Sequence, residues 1–162
     1  FTSMTHLPKK GKKVKKGLRF YLVPFKKLAS TLAWKLTSQY VRLKVCNLTD
    51  SVEKYGECYT CEKVFPFKKL YAGHLIEKIG HAAIYFDLDG IRAQCYKCNR
   101  MLSGDKDNFG QKLRKEIGEE RVNNLYKKSR PSKTWNKEEL KEIAEARHDD
   151  LVLRGEVSFT RE

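Results

Sequence analysis

Four of the five cysteines stand in two Cys-x-x-Cys pairs, Cys58/Cys61 and Cys95/Cys98, with 33 residues between the pairs. Each knuckle sets two thiolates on one side of a tight turn, and two knuckles complete a tetrahedron of soft donors suited to structural Zn2+. With no secretion signal in view, the pattern reads as metal rather than disulfide. A thioredoxin-like redox role would use one pair and leave the other idle. Cys46 stands alone and reads as a core residue. His74 lies between the knuckles, and Asn99 follows the last cysteine directly. A knuckle that opens a helix would fix Asn99 in the first helical turn, and a strand pinned to the same zinc could hold His74 facing it. An amide oxygen there can bind a hard cation, Mg2+ or Mn2+, with few protein ligands, so waters and a phosphate oxygen have room. The imidazole would then activate the attacking water while the cation stabilises the developing phosphorane charge.

The elements that must position these groups follow from periodicity. Pro24 opens a predicted helix over roughly 25–46, with Phe25, Leu28, Leu32, Leu36, Tyr40 and Leu43 as its apolar stripe. Leu70–Ile76 reads as a strand ending near Gly73-His74, and residues 77–83 as loop. Ile84-Tyr85-Phe86 and Ile91–Gln94 flank the turn-like Asp87-Leu88-Asp89-Gly90, and Asn99 to Leu102 reads as a helical segment. The last third reads as helices. Phe109, Leu113 and Ile117 form one stripe, a break falls near Gly118, and Val122, Leu125 and Tyr126 form a second. Asn136 with Glu139 has the spacing of a capping box, with Trp135 and Leu140 placed as its hydrophobic staple. That helix runs to Gly155, a C′ residue. The domain reading is a basic arm over 1–24 (with Met4 as the native start and 1–3 an addition), an N-terminal helix over 25–50, a zinc-bound core over 51–104, a helical region over 105–155 and a tail over 156–162.

The 162 residues carry a net charge of +14, and residues 1–45 hold 12 basic and no acidic side chains. Seven of the eleven residues 9–19 are cations: Lys9, Lys10, Lys12, Lys13, Lys15, Lys16 and Arg19. A basic arm of this kind suits a polyanion, and nucleic acid is the partner it favours over a membrane surface or a merely solubilising role. No apolar run approaches the ~18 residues of a membrane span. Arg92 and Arg100 flank the second knuckle as phosphate-binding candidates. His81 reads as a loop histidine with a secondary metal or phosphate role open to it, and Asp87 as a turn-former or the partner of a nearby base. His148, among acidic neighbours, reads as solvated. The bland alternatives for the central pair are a packed His74 and an Asn99 that serves only as a helix-start hydrogen bonder.

The run Ala72-Gly73-His74-Leu75-Ile76, then Phe86-Asp87, then Arg92-Ala93-Gln94-Cys95-Tyr96-Lys97-Cys98-Asn99-Arg100-Met101-Leu102-Ser103-Gly104, resembles the phage lambda NinG (Rap) recombination proteins. Tyr40–Leu43 before the first knuckle, and Lys133-Thr134-Trp135 with Glu138-Glu139-Leu140, extend the likeness over roughly residues 33–146. A further zinc-type segment of the fuller members is missing. The resemblance implies an α+β fold: a small zinc-stapled ββα-metal (HNH-like) core surrounded by N- and C-terminal helices. Its layout is similar to phage recombination endonuclease VII. It implies a metal-dependent DNA endonuclease acting on branched recombination intermediates such as Holliday junctions, in the cytoplasm of the bacterial host, with a homodimer as an arrangement that suits the cutting of two strands. In that scheme His74 is the general base, Asn99 holds the catalytic Mg2+ or Mn2+, and Cys58, Cys61, Cys95 and Cys98 hold structural zinc. Two positions depart from many HNH proteins. Gly73 stands where an aspartate often serves as a second metal ligand, a glycine that NinG-like proteins share. Gly90 stands where an asparagine usually braces the loop, with Asp89 next door as a substitute. Gly90 favours the rival expectation of a zinc-bearing DNA-binding protein with weak or no cleavage. A general HNH nuclease without branch preference is the third reading.

Overall fold

Each cysteine knuckle is carried by its own antiparallel hairpin, and hydrogen bonds from the Tyr59 N–H to the Ala93 carbonyl and from the Cys95 N–H to Cys58 Sγ join the two. The computed structural model describes residues 22–46 and 53–156. Residues 1–21 of the basic arm, including Lys9 to Arg19, lie outside the described residues, as does the tail from 157. In chain order the strands are β1 (Leu22–Val23), β2 (Tyr55–Glu57), β3 (Val64–Pro66), β4 (Leu70–His74), β5 (Ile91–Cys95) and β6 (Trp135–Asn136). The helices are α1 (Leu32–Lys44), α2 (Lys106–Ile117), α3 (Glu119–Ser129) and α4 (Lys137–Leu153). β2 and β3 form a ribbon whose connection carries the first knuckle. β4 and β5 pair from Leu70↔Cys95 to His74↔Ile91. One π-helical turn, Lys97–Met101, follows β5 at once. β1 pairs with β6, tying the start of the described chain to the entry of α4.

Two apolar clusters flank the β4–β5 hairpin. Leu75, Ile76 and Ile84, from the connection between its strands, pack with Phe109 and Leu113 of α2 and Val122 and Leu125 of α3. On the other side Leu28, Ala33, Tyr85 and Phe86 pack with Leu140 and Ala144 of α4, edged by Trp34 and Trp135. α1 lies against α4 and across both strands of the hairpin. The cysteine cluster, with Phe65 against it, forms a third packed group. Cys46 is buried as expected, its thiol donating to the Arg42 carbonyl at 3.3 Å.

The predicted first helix is two pieces. Phe25–Ser30 is a 3-10 turn, and Thr31 is extended at φ −71° and ψ 153°. The Thr31 hydroxyl accepts the Trp34 N–H at 3.3 Å, which starts α1 afresh. A threonine that can cap a helix gains little from sitting inside one. The restart rotates the buried face. Leu32 is 62% exposed, and the face turned inward is Ala33, Thr37 and Val41, with Leu43 at its end. Small side chains there let α1 approach α4 closely. The C-terminal boundaries fall as the sequence predicts. Asn136 and Glu139 form a reciprocal capping box, and Gly118 and Gly155 take φ of 88° and 72°.

Candidate metal centre and adjoining cleft

The Sγ atoms of Cys58, Cys61, Cys95 and Cys98 all lie within 4.8 Å of one another, and those of Cys61 and Cys95 are 3.9 Å apart. Four sulfurs around one ion with Zn–S bonds of about 2.3 Å stand about 3.8 Å from each other. The donor set and its spacing therefore fit zinc. Backbone hydrogen bonds shape the first knuckle: the Cys58 N–H donates to the Lys63 carbonyl at 2.9 Å, and the Glu62 N–H to the Cys58 carbonyl at 2.9 Å. Glu62 takes the left-handed φ of 61° that such a turn requires. The Tyr59 N–H donates to the Ala93 carbonyl at 2.8 Å, locking the knuckle to β5. Burial opposes ionisation of Cys58, yet the backbone donors of Cys61 and Cys95 and the neighbouring Thr60 outweigh it and bring the thiol down to about 6. Burial pushes Cys98 up to about 12, with the nearby sulfurs adding to the shift. One thiolate among four crowded sulfurs penalises the next, and a dication removes that penalty for all of them.

Beside this centre, between the β4–β5 hairpin, the π-helical turn and α1, lies a cleft of about 330 Å3. His74 and Asn99 both line it, with Trp34, Glu77, Lys78, Arg100 and Lys106 among the other walls. The two residues singled out by the sequence thus share one cavity. His74 is 6% exposed. Its ring stacks on Trp34, centroids 5.2 Å apart and planes at 25°. His74 Nε2 lies 2.9 Å from the Tyr85 carbonyl oxygen. A carbonyl only accepts, so the proton sits on Nε2 and Nδ1 is left with the free lone pair. Burial lowers the His74 pKa to about 4; the charges of Lys78 and Lys106 add to the fall, and the Tyr85 carbonyl opposes it. The imidazole is neutral at pH 7, with a free acceptor nitrogen of fixed tautomer and orientation.

Sequence reasoning missed the cationic walls. The Lys106 ammonium donates to the His74 backbone carbonyl, and Lys78 lies over the Trp34 ring at 5.0 Å. Burial lowers the pKa of both lysines; the Arg100 charge adds to this for Lys78, while Glu77 opposes it for Lys106. Neither lysine falls in a basic run, so only the folding of α2 and of the hairpin connection reveals them. Trp34 was equally invisible, because the restart of α1 at Thr31 sets its direction.

Other predicted site residues lie elsewhere. His81 donates from Nδ1 to the Ser129 carbonyl at 3.0 Å. Asp87 accepts the Asp89 N–H at 3.0 Å and pairs with Lys128 at 3.1 Å. The Asp89 carboxylate pairs with Arg121 rather than bracing the loop. Arg92 pairs with Glu116 at 3.0 Å and donates to the Leu88 and Ile91 carbonyls at 2.8 Å each. None of these four lines the cleft. Arg92, tying down the turn before β5, supplies a brace of the kind expected of position 89 or 90. Arg100, by contrast, is exposed at the cleft wall.

A short antiparallel hairpin, a helical turn and four converging cysteines define a small mixed helix-and-sheet protein organised around a four-cysteine cluster that could hold zinc. The family model described as Bacteriophage Lambda NinG protein matches residues 7–154, and the chain belongs to the NinG family. No curated protein and no solved structure matches it. Among the described residues, no helix is long and apolar enough to cross a membrane.

Proposed function

We propose that this chain is a zinc-stapled, metal-dependent DNA endonuclease of the HNH (ββα-metal) type, acting on branched recombination intermediates. One observation carries the reading: a neutral His74 with its tautomer set by the Tyr85 carbonyl shares a cleft with the Asn99 amide and the cations Lys78, Arg100 and Lys106. His74 Nδ1 takes the proton of the attacking water. Trp34 and Tyr85 keep the ring from turning away. The three cations hold the phosphodiester, whose charge they match. Asn99 Oδ1, a hard neutral oxygen, holds Mg2+ or Mn2+. When bound, that cation would stabilise the charge developing on the phosphoryl and leaving oxygens. The cysteine cluster holds zinc and takes no part in the chemistry. It fixes the end of β5 to the first knuckle and so sets where Asn99 emerges. The branched substrate is what the family likeness implies.

The test is cleavage of a labelled four-way junction and of a matched linear duplex, each with Mg2+, Mn2+ or chelator. Metal-dependent cutting of the junction in preference to the duplex is the expected result. Equal cutting of both would make this a general nuclease. Binding without cutting under any metal would make it a zinc-stabilised DNA-binding protein.

A further inference from the structure

Gln94 of β5 lies between the cysteine cluster and the cleft with its side chain wholly buried. Its Nε2 is satisfied twice, donating to Thr60 Oγ1 at 3.2 Å and to the Gly104 carbonyl at 2.9 Å. Its Oε1 is buried and accepts no hydrogen bond. The amide cannot simply be turned over, because that would set Oε1 against the Gly104 carbonyl, which only accepts. A buried amide oxygen without a donor costs about 1–3 kcal/mol. Such an atom in a native site calls for a positive partner.

The orphaned oxygen sits beside Gly73. A Cβ built on Gly73 would overlap Gln94 Oε1 and stand 3.1 Å from Asn99 Oδ1. Two amide oxygens, one from β5 and one from the helical turn, therefore converge on the space that a side chain at position 73 would fill. Neither oxygen offers the other a donor, and a cation lying against both would satisfy them. Hard neutral oxygens of this kind suit Mg2+ and Mn2+.

We infer that Gln94 Oε1 is a second protein oxygen for the divalent cation at Asn99, delivered from β5 into the space left by Gly73. This rests on the reading of Asn99 as a cation ligand. Position 73 must stay a glycine because a neighbouring strand occupies its side-chain volume. Both donors are neutral and the cleft walls are cationic, so the protein alone binds the cation weakly and a DNA phosphate strengthens it.

Mn2+ binding by zinc-loaded protein, followed by the EPR signal of free Mn2+ with and without duplex DNA, reads this site independently of cleavage. Gln94→Met removes the oxygen at similar volume, and Gly73→Ala keeps every atom of Gln94 but drives its oxygen from its place. Each should weaken Mn2+ binding by at least the ~10–100-fold that even outer-shell partners contribute. Zinc content and melting show that each variant is folded. In the unsubstituted protein, Mg2+ should shift the NMR signals of the Gln94 and Asn99 side-chain amides together. Unchanged Mn2+ affinity in a folded Gln94→Met variant overturns the inference, as does an Asn99 signal that moves while Gln94 stays still, or a parent protein that binds no Mn2+ at all. The last-but-one result leaves the nuclease reading intact. Coupled binding by both residues in a protein that never cuts DNA upholds the inference and removes the nuclease reading instead.

Discussion

Gly90 sits so close beneath Leu125 of α3 that a Cβ on it would stand 2.7 Å from Leu125 Cδ2. The backbone there is engaged as well, since the Gly90 carbonyl accepts the Leu75 N–H at 2.9 Å across the mouth of the hairpin. The turn ending at Gly90 is thus held by the packing of α3 against it and by Arg92, which donates to the Leu88 carbonyl. Gly90→Asn should destabilise the protein by about 1–3 kcal/mol, the usual cost of overpacking. It should not raise cleavage. A chemical melt together with the junction assay checks both, and a variant that is more active at parental stability would contradict the account.

His74→Ala tests the proposed base. Cleavage should fall by ~10²–10⁴-fold, the range of a lost general base, while junction binding is retained. Asn99→Ala should also lose activity, but part of it should return at high Mn2+, because mass action can repopulate a weakened cation site. His74→Ala should show no such rescue. Cleavage at the parental rate by both variants would move the reactive site elsewhere.

The buried imidazole also makes stability depend on pH. An unfolded histidine titrates near 6.5, whereas folded His74 titrates at about 4. As pH falls, the unfolded chain takes up the proton first. The stability that neutral His74 confers is fully present above about 6.5 and declines as pH drops towards about 4, by up to about 3 kcal/mol. Comparing urea melts of the parent and a His74→Gln variant across this window isolates the contribution from that of the cysteines. Equal slopes for the two proteins would show that His74 is not buried neutral.

Zinc removal should unfold the hairpin's anchor. Cys58→Ser, or denaturant-assisted chelation, should release about one zinc per chain and lower the melting temperature by about 10 °C or more, since structural zinc carries folding free energy directly. Elemental analysis and calorimetry make the check. Freshly purified protein with no zinc would refute the assignment.

Residues 9–19 should supply affinity without sequence choice. Each phosphate contact steepens the log–log salt dependence of binding by about 0.9. Deleting the segment should weaken binding to all DNA and flatten that slope by several units. An unchanged slope in a filter-binding titration would rule the arm out as a contact.

The cysteine spacing alone was enough to point to a four-cysteine cluster able to hold zinc, because two knuckles 33 residues apart carry their own local turn geometry. The α4 capping box was equally legible, because Asn136 and Glu139 interact within one helical turn. His74 and Asn99 were recognisable as a pair through the motif around them. What the chain order could not convey was everything that depends on which segments meet. Leu32 and Ala33 are adjacent, and only the cap at Thr31 decides which of them faces inward. Arg92 and Arg100 look alike in sequence. The fold commits the first to Glu116 and the Leu88 and Ile91 carbonyls, and leaves the second at the cleft. Lys78, Lys106 and Trp34 acquire their roles from contacts between distant elements. Gly73 and Gln94 lie twenty-one positions apart in the chain and become one feature only when β4 pairs with β5. Local patterns record bond geometry and helix or strand period, whereas long-range packing decides which polar atoms are left without a partner.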